Sequence, residues 1–369
     1  MSEKWLYFFN ILASRWVNAV GPGGLRTPIK SILVVKWDEI GDMAAAIHVF
    51  GTLKSACPEA ELHVLCKPFV STLIAGDPAI DKVITNIEDW QQRYDVVVEL
   101  RGTWQTLRKS LSLRTMPKYR VDRGWVRFLQ LGAQPHEVVT NERIICPLVG
   151  EGFPISKRVL FPSVSEIAEA QGWTAWALSS ELSSNEKAAE VNSSFPLAEE
   201  VSNENVTGYA ILHTGARREL RRWPLERFVA LSKWLLLEKN LIPIWVGTAE
   251  EESQLDEAFA MGAAGKKWVA PEGSLLLSFY AFIASSKLYV GNESGPLQMA
   301  DIAEVPLVAI YGPGVPDVFY PQSARSRVLH EVLDCNPCDQ IHCVRPSDRC
   351  IDRISLASVQ LAVSEVLGK

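Results

Sequence analysis

Two successive series of short apolar runs, each followed by segments of helical periodicity, constrain the fold of this chain most strongly. The first series includes residues 31–36 and 95–100, and the second includes residues 208–213 and 307–310. These runs are rich in Val, Ile and Leu, as is typical of parallel strands buried on both faces. Alternation of strand and helix, found twice along the chain, predicts an α/β protein with two doubly wound, Rossmann-like domains.

The chain has 369 residues, which is long enough for two domains of ordinary size. We predict a helical N-terminal extension over residues 1–30 and a first domain over residues 31–180. An acidic linker rich in Ser and Asn spans residues 181–206, and the second domain spans residues 207–369. Ligands of such sheets bind beyond the carboxyl ends of the strands, so we expect the two domains to face each other across a cleft.

The distribution of charge limits the classes of partner. A formal net charge of −6 argues against a general nucleic-acid-binding protein. Within this acidic chain, residues 101–127 hold eight basic residues and a single acid, Asp122. This basic strip indicates an anionic partner on one face, and a solvated basic surface is the alternative interpretation.

Residues 4–20 are rich in aromatic and aliphatic side chains but include Arg15 and Asn18. The stretch is too short to span a membrane, and no cleavage site of a signal peptide follows it. We interpret it as a helix that either packs on the protein body or makes peripheral contact with a membrane surface. Without a secretion signal, we expect a cytoplasmic protein.

Residues 287–301 predict a strand, a tight turn and a helix. In the turn, Glu293, Ser294 and Gly295 precede helical N–H groups that have no partner and carry a partial positive charge. Such a turn is a suitable seat for a phosphate group. The alternative is that Asn292, Ser294 and Gly295 only cap the helix, as these residue types often do.

A second turn follows the apolar run at residues 31–36 and precedes a helix that we predict over residues 43–56. Asp42 ends this turn directly after Gly41, a residue that permits close backbone approach. The carboxylate of Asp42 is a candidate general base, and the alternative is that it serves as the N-cap of the helix.

The loop after residues 208–213 contains Thr214 and four arginines within six positions, two of which are Arg221 and Arg222. Guanidinium groups bind diphosphates through paired hydrogen bonds, so we predict an anion site here in preference to a solvated loop. Glu250 follows the next strand. It is a candidate acceptor for ribose hydroxyls, or an acid of the kind that helix starts favour.

Four cysteines lie within sixteen positions, namely Cys335, Cys338, Cys343 and Cys350. Their spacing predicts one tetrahedral sulfur site for a structural zinc or iron ion. Two disulfides are the alternative, which the absence of a secretion signal disfavours. The phosphate-binding turns lie elsewhere in the sequence, so we expect donor binding to survive the loss of this metal.

Together these segments resemble the ADP-heptose glycosyltransferases of glycosyltransferase family 9, the heptosyltransferases of lipopolysaccharide core assembly. The resemblance covers most of the chain from Lys30 onward. Apart from the cysteine-rich tail, it rests on VVKWDEIGD (34–42), YDVVVELRG (94–102), HTGARRELRRWPLERF (213–228), VGNESGPLQMA (290–300) and VPLVAIYGP (305–313). The family implies a GT-B fold with an N-terminal acceptor domain and a C-terminal donor domain, and a chemistry that is inverting and independent of metal.

The resemblance also implies roles for individual residues. Asp42 matches the catalytic base of the family. Thr214 and Arg221 match contacts to the donor diphosphate, and Glu250 matches a nucleoside-binding Glu. The tail with its four cysteines is similar to the iron-binding loop of autotransporter heptosyltransferases.

Two residues of the donor turn depart from the family pattern. Glu293, Ser294 and Gly295 match a turn that holds the donor, but Glu293 stands where the family has Asp. Gln298 stands where the family has His, and its amide can donate a hydrogen bond but carries no charge.

From the resemblance as a whole we predict a transferase that moves heptose from ADP-heptose to an anionic glycan or glycolipid acceptor near residues 101–127. A catalytically silent binding or assembly protein with the same fold is the alternative. A nucleotide-sugar epimerase is disfavoured, because this sequence has no evident counterparts of the acid and base residues of such an enzyme.

Overall fold

The computed structural model of the protein describes residues 3–20, 28–128, 134–179, 206–271, 273, 275–314, 316–336, 338 and 340–368. The chain divides into two compact units. The first comprises Met1–Phe161 and Asp317–Phe319, and the second comprises Pro162–Pro316 and Tyr320–Lys369. The predicted linker at 181–206 lies outside the described residues, except for residue 206.

The first unit contains a five-stranded parallel sheet with the order β3-β2-β1-β4-β5. Its strands are β1 (Ser31–Lys36), β2 (Glu61–Cys66), β3 (Lys82–Ile84), β4 (Val96–Arg101) and β5 (Tyr119–Asp122). Its helices are α1 (Glu3–Val20), α2 (Ile40–Ala44), α3 (His48–Ala56), α4 (Pro68–Ile74), α5 (Trp104–Leu111), α6 (Arg123–Phe128) and α7 (Glu137–Val149). The strand order reverses between β1 and β4, so the loops that follow these two strands lie side by side.

The second unit contains a six-stranded parallel sheet with the order β11-β10-β9-β6-β7-β8. Its strands are β6 (Gly208–His213), β7 (Leu241–Gly247), β8 (Lys266–Val269), β9 (Leu288–Asn292), β10 (Leu307–Tyr311) and β11 (Ser326–His330). Its helices are α8 (Val164–Leu178), α9 (Leu225–Lys239), α10 (Glu252–Ala260), α11 (Leu276–Ala284), α12 (Gly295–Ile302) and α14 (Leu356–Leu367), while α13 (Pro316–Phe319) falls at a boundary of the units. Here the order reverses between β6 and β9, which brings the loops after those strands together.

Helix α8 belongs to the second unit, although we predicted residues 31–180 as one domain. The ring of Trp173 lies 5.0 Å from that of Trp268 and 5.9 Å from that of Phe282. The Lys266 ammonium donates to the carbonyl oxygen of Trp176 at 2.6 Å. Aromatic burial and this buried cation hold the helix to the second sheet, so the compact units divide after Phe161.

Helix α1 packs on the first unit through a face that holds polar as well as apolar residues. Asn10, Ser14 and Asn18 are spaced four apart and share one helix face. The Arg120 guanidinium of β5 donates to Ser14 Oγ at 2.7 Å and to the Asn10 carbonyl at 3.1 Å. Asn18 and the backbone of Arg120 exchange two hydrogen bonds. Arg120 is fully buried, and its charge is balanced by Glu99 and Asp122.

Candidate functional site

Asp42 is the third residue of α2, the short helix that follows β1. The position before this helix is Glu39, and no side chain caps it. The interpretation of Asp42 as an N-cap is therefore wrong. The helix predicted over residues 43–56 is also interrupted, because α2 ends at Ala44 and α3 begins at His48.

Charged side chains from neighbouring loops surround Asp42. The guanidinium of Arg101, at the end of β4, lies 3.9 Å from Asp42 and 3.5 Å from Asp38. The ammonium of Lys36 lies 3.4 Å from Asp38 and 3.4 Å from Glu137. The lateral pairing of β1 with β4 creates this cluster, since Lys36 and Arg101 are partners in the register.

The surroundings of Asp42 disfavour its ionised form. Burial and the negative charge of Asp38 raise the pKa of Asp42 to about 6, against the partial compensation of Lys36 and Arg101. Burial also acts on Asp38, but there Lys36, Arg101 and Arg123 prevail and lower its pKa. The pKa values of the two carboxyl groups therefore differ, and Asp42 is the one that can accept a proton near neutral pH.

Glu137 pairs with the cations of this cluster, and it was not among the residues predicted from the sequence. It is fully buried at the start of α7 and pairs with Arg123 through both carboxylate oxygens. Arg127 adds a third contact at 2.8 Å. These cations and Lys36 outweigh the effect of burial and lower the pKa of Glu137. No local motif marks Glu137, because its partners come from other elements.

In the second unit, the loops after β6 and β9 are joined by a buried amide. Asn292 donates from Nδ2 to the carbonyl oxygen of Thr214 at 2.7 Å and accepts from the backbone of Trp223 at 3.1 Å. Thr214 itself is buried. Asn292 therefore joins the arginine-rich loop after β6 to the turn after β9. Its side chain thus does more than cap a helix, which was the alternative interpretation.

Ser294 occupies the N-cap position of α12, but its side chain makes no capping hydrogen bond. Its Oγ lies 3.2 Å from Nδ1 of the buried His213. The other ring nitrogen of His213 lies 3.9 Å from Glu251. Burial lowers the pKa of His213, and a neutral imidazole can hold the Ser294 hydroxyl in one orientation. His213 and Glu251 were not among the site residues predicted from the sequence.

Arg221 lies between the predicted donor turn (residues 293–295) and the segment with the four cysteines (residues 335–350), which we call the cysteine loop. Its Nη1 is 3.1 Å from the carboxylate of Glu293. Its Nε donates to Oε1 of Gln340 at 2.6 Å, and its Nη2 contacts the same oxygen. Gln340 lies between Cys338 and Cys343, and its backbone N–H lies 3.3 Å from the sulfur of Cys338. The cysteine loop is therefore in contact with the predicted donor site, whereas its sequence position indicated that the two were separate.

Glu293 carries a buried acceptor with no partner in the part of the chain that the structure describes. Its Oε1 pairs with Arg221, but its Oε2 has no hydrogen bond. Burial raises the pKa of Glu293, and Arg221 only partly offsets this effect. A buried oxygen of this kind is costly unless a hydroxyl or N–H group reaches it.

The remaining predicted donor residues lie in different surroundings. Arg222 donates to the carbonyl oxygen of Ala216 at 3.1 Å and lines a cavity of about 640 Å³ at the start of α9 and α10. Glu250 is exposed, whereas its neighbour Glu251 contacts His213. Gln298 is buried within α12, and Gly295 is the first residue of that helix.

The four cysteines line one small cavity, and all are free thiols. The disulfide alternative is therefore not supported. The N–H groups of Gln340 and Arg345 approach the sulfurs of Cys338 and Cys343, at 3.3 and 3.4 Å. Among the described residues, however, no group of three or more His, Cys, Asp or Glu is placed to hold a metal ion.

The basic strip at residues 101–127 does not form one open cationic surface. Six of its eight basic residues pair with carboxylates, namely Arg101, Lys109, Lys118, Arg120, Arg123 and Arg127. Most of the strip is thus paired with carboxylates of the first unit, and it contributes Arg101 beside Asp42.

Comparison with known proteins links both units to one family. The sequence profile of glycosyltransferase family 9 (heptosyltransferase) matches residues 90–347. Lipopolysaccharide heptosyltransferase 2 of Salmonella typhimurium is 30% identical over 112 residues, which cover 30% of this chain and 32% of that protein. The chain therefore aligns with about a third of the length of this relative.

Solved structures share the fold over nearly the whole chain. A glycosyl transferase of family 9 from Veillonella parvula has a TM-score of 0.72 at 17% identity, and the match covers 92% of this chain and 97% of that one. The ADP-heptose lipopolysaccharide heptosyltransferase II of E. coli has a TM-score of 0.65 at 19% identity, covering 91% and 98%. These matches confirm the predicted GT-B class, with two parallel α/β units.

Proposed function

The chain belongs to glycosyltransferase family 9 (heptosyltransferase), and on this premise we propose that it transfers heptose from ADP-heptose to a hydroxyl of a cell-surface glycan or glycolipid. The observation that carries the proposal is the junction of the loops after β6 and β9. There Arg221 pairs with Glu293, whose second carboxylate oxygen accepts no hydrogen bond within the described residues. Both lie next to the N-terminus of α12, which no side chain caps. A diphosphate suits the guanidinium and the helix end, and a sugar hydroxyl suits the carboxylate.

We propose an inverting mechanism with a single displacement. Asp42 takes the proton of the acceptor hydroxyl as the hydroxyl oxygen attacks the anomeric carbon, and the bond to the diphosphate oxygen breaks on the opposite face. General-base catalysis of this kind contributes about 100- to 10,000-fold. Arg221 and the backbone N–H groups at Ser294 and Gly295 stabilise the negative charge that develops on ADP, so the reaction needs no metal ion.

The direct test is release of ADP from ADP-heptose in the presence of deacylated lipopolysaccharide core acceptors, with other nucleotide sugars in parallel. Transfer of heptose to acceptor, detected by mass spectrometry, would support the proposal. Tight binding of ADP-heptose without any turnover would instead support a catalytically silent binding protein. That second candidate is favoured by Glu293 and Gln298, which replace the Asp and His that the family pattern predicts.

We expect kcat/KM to rise with pH through one ionisation near pH 6 and then to level off. Asp42 accepts a proton only as a carboxylate, and its pKa is about 6, so activity is lost as pH falls through that value. Arg101→Gln removes a cation that lowers this pKa, and it should move the inflection to higher pH. The measurement is kcat/KM for ADP release as a function of pH. An inflection near the ordinary pKa of Asp would contradict the assignment of Asp42 as the base.

We further propose that Cys335, Cys338, Cys343 and Cys350 bind one structural zinc or iron ion. Four thiols that line one cavity, with no disulfide among them, provide a donor set that suits either metal. The N–H groups directed at two of the sulfurs would stabilise the thiolate form. The sulfurs would have to move closer together on binding, as is common where a loop folds around its metal.

Cys343→Ser should lower the metal content from about one equivalent to less than about a tenth, and it should lower the melting temperature by several degrees. Because Gln340 contacts Arg221, affinity for ADP should fall as well. Elemental analysis and calorimetry measure both effects, with Cys57→Ser, in the other unit, as the control. Wild-type protein without bound metal, and with all four thiols reactive, would contradict the metal site.

A further inference from the structure

Helix α1 buries polar side chains and leaves large aromatic side chains exposed. Its polar residues Asn10, Ser14 and Asn18 face β5, where they contact Arg120 and Asp122. An amphipathic helix on a water-soluble protein ordinarily buries its apolar face and exposes its polar face. In α1 the inward face satisfies a buried cation and also holds Ile11, Ala13 and Val17, while aromatic residues on the opposite side stay exposed.

The outward face of α1 is formed by Trp5, Phe9, Leu12 and Trp16, which are spaced by four, three and four residues. Their exposed fractions are 54%, 42%, 44% and 48%. Residues at this spacing lie on one side of a helix. Phe9 also contacts Trp104 at 5.6 Å between ring centroids. Four large apolar side chains therefore form a continuous exposed stripe, which we call the outer face of α1, and a stripe of this size marks an interaction surface.

Basic residues accompany this face. Lys4 and Arg15 are exposed on the same helix, whose one acidic residue is Glu3 at its start. The guanidinium of Arg15 lies 5.1 Å from the ring of Trp125, whose exposed fraction is 40%. Aromatic side chains next to cations match the interface of a lipid bilayer with anionic headgroups, where Trp rings and basic side chains are both favourable. Among the described residues, no helix is both long and apolar enough to cross a membrane.

We propose that the outer face of α1 binds the surface of an anionic lipid bilayer, with the helix parallel to the membrane plane. Trp5, Phe9, Leu12 and Trp16 would enter the boundary between headgroups and acyl chains. Lys4 and Arg15 would contact anionic headgroups, and the hydrogen bonds to Arg120 would hold the helix against the body of the first unit. This inference rests on α1 and β5 and does not depend on the proposed transferase activity.

Co-sedimentation of the full-length protein with phospholipid vesicles tests the proposal. We expect binding to phosphatidylcholine vesicles that contain about one third phosphatidylglycerol, and weak binding to pure phosphatidylcholine. The combined change Trp5→Ser, Phe9→Ser, Leu12→Ser and Trp16→Ser should reduce binding to the mixed vesicles by more than about tenfold. Lys4→Glu with Arg15→Glu leaves the apolar stripe intact, and it should reduce binding by about tenfold at low salt.

The matched control is Val164→Ser with Leu237→Ser, which removes two exposed apolar side chains from the second unit and should leave binding unchanged. The charge-reversal variant keeps the test decisive if the fourfold variant fails to fold. Equal binding of the wild type to both kinds of vesicle would overturn the role of anionic lipid. Absence of vesicle binding, together with a wild-type dimer that becomes a monomer in the fourfold variant, would show that a second copy covers this face.

Discussion

Replacement of Asp42 by Asn will abolish heptose transfer while ADP binding stays within a few-fold of the wild type. Asparagine keeps the shape of the side chain but cannot take the proton of the acceptor hydroxyl, so we expect a loss of about 100- to 10,000-fold in kcat. The measurement pairs steady-state ADP release with calorimetric titration of ADP. Turnover close to the wild-type rate would remove Asp42 from the mechanism.

Stability separates this catalytic role from a structural one. Because burial and Asp38 raise the pKa of Asp42 from 3.8 to about 6, its carboxylate destabilises the folded state above pH 6, by on the order of 3 kcal/mol. Asp42→Asn should therefore raise the melting temperature at pH 7.5, even as it removes activity. The matched control is Asp81→Asn, which alters an exposed partner of Lys54 and should leave kcat unchanged. A lower melting temperature for Asp42→Asn would indicate that Asp42 supports the fold.

Replacement of Arg221 by Ala will weaken ADP binding and slow transfer. The guanidinium lies 3.1 Å from Glu293, and it is held in the second unit at the junction proposed for the diphosphate. Removal of a charge that stabilises the leaving group typically costs about 2–4 kcal/mol in transition-state binding. Calorimetric titration with ADP and kcat/KM for transfer measure the two effects. Unchanged affinity together with unchanged turnover would exclude Arg221 from the donor site.

Two further variants make the Arg221 result specific. Arg327→Ala removes an arginine from a surface ion pair with Glu365 in the same unit, and it should leave both measurements unchanged. Gln340→Leu keeps Arg221 but removes the acceptor that holds its Nε. We expect this variant to weaken ADP binding by less than Arg221→Ala does. Equal affinities for Gln340→Leu and the wild type would show that the cysteine loop does not position Arg221.

The fold could be predicted well because it depends on patterns that repeat along the sequence. The strands at residues 31–36 and 208–213 lie where the apolar runs place them. The boundary between the two units was harder to predict from the sequence. Residues 164–178 form a helix whose sequence does not distinguish between the two sheets, and the packing of Trp173 on Trp268 and Phe282 assigns it to the second.

The candidate site was only partly predictable because its electrostatics depend on residues that are distant in sequence. Asp42 and Arg221 lie in loops whose residue types indicate their chemistry. By contrast, Glu137 lies 101 positions from Lys36, and Gln340 lies 119 positions from Arg221. A single Glu or Gln carries no motif, and such pairs become visible only when parallel strands bring their loops to the same edge of a sheet.

The packing of α1 on β5 has a consequence for the exchange of segments between relatives. Arg120 is fully buried, and its charge is matched by Glu99 and Asp122 and by hydrogen bonds to Asn10 and Ser14. Without α1, water would reach this buried charge cluster, so removal of residues 3–20 would compromise the first sheet itself. A chimera that receives α1 must also receive β5, because the polar face of the helix and the arginine of the strand satisfy each other's hydrogen bonds.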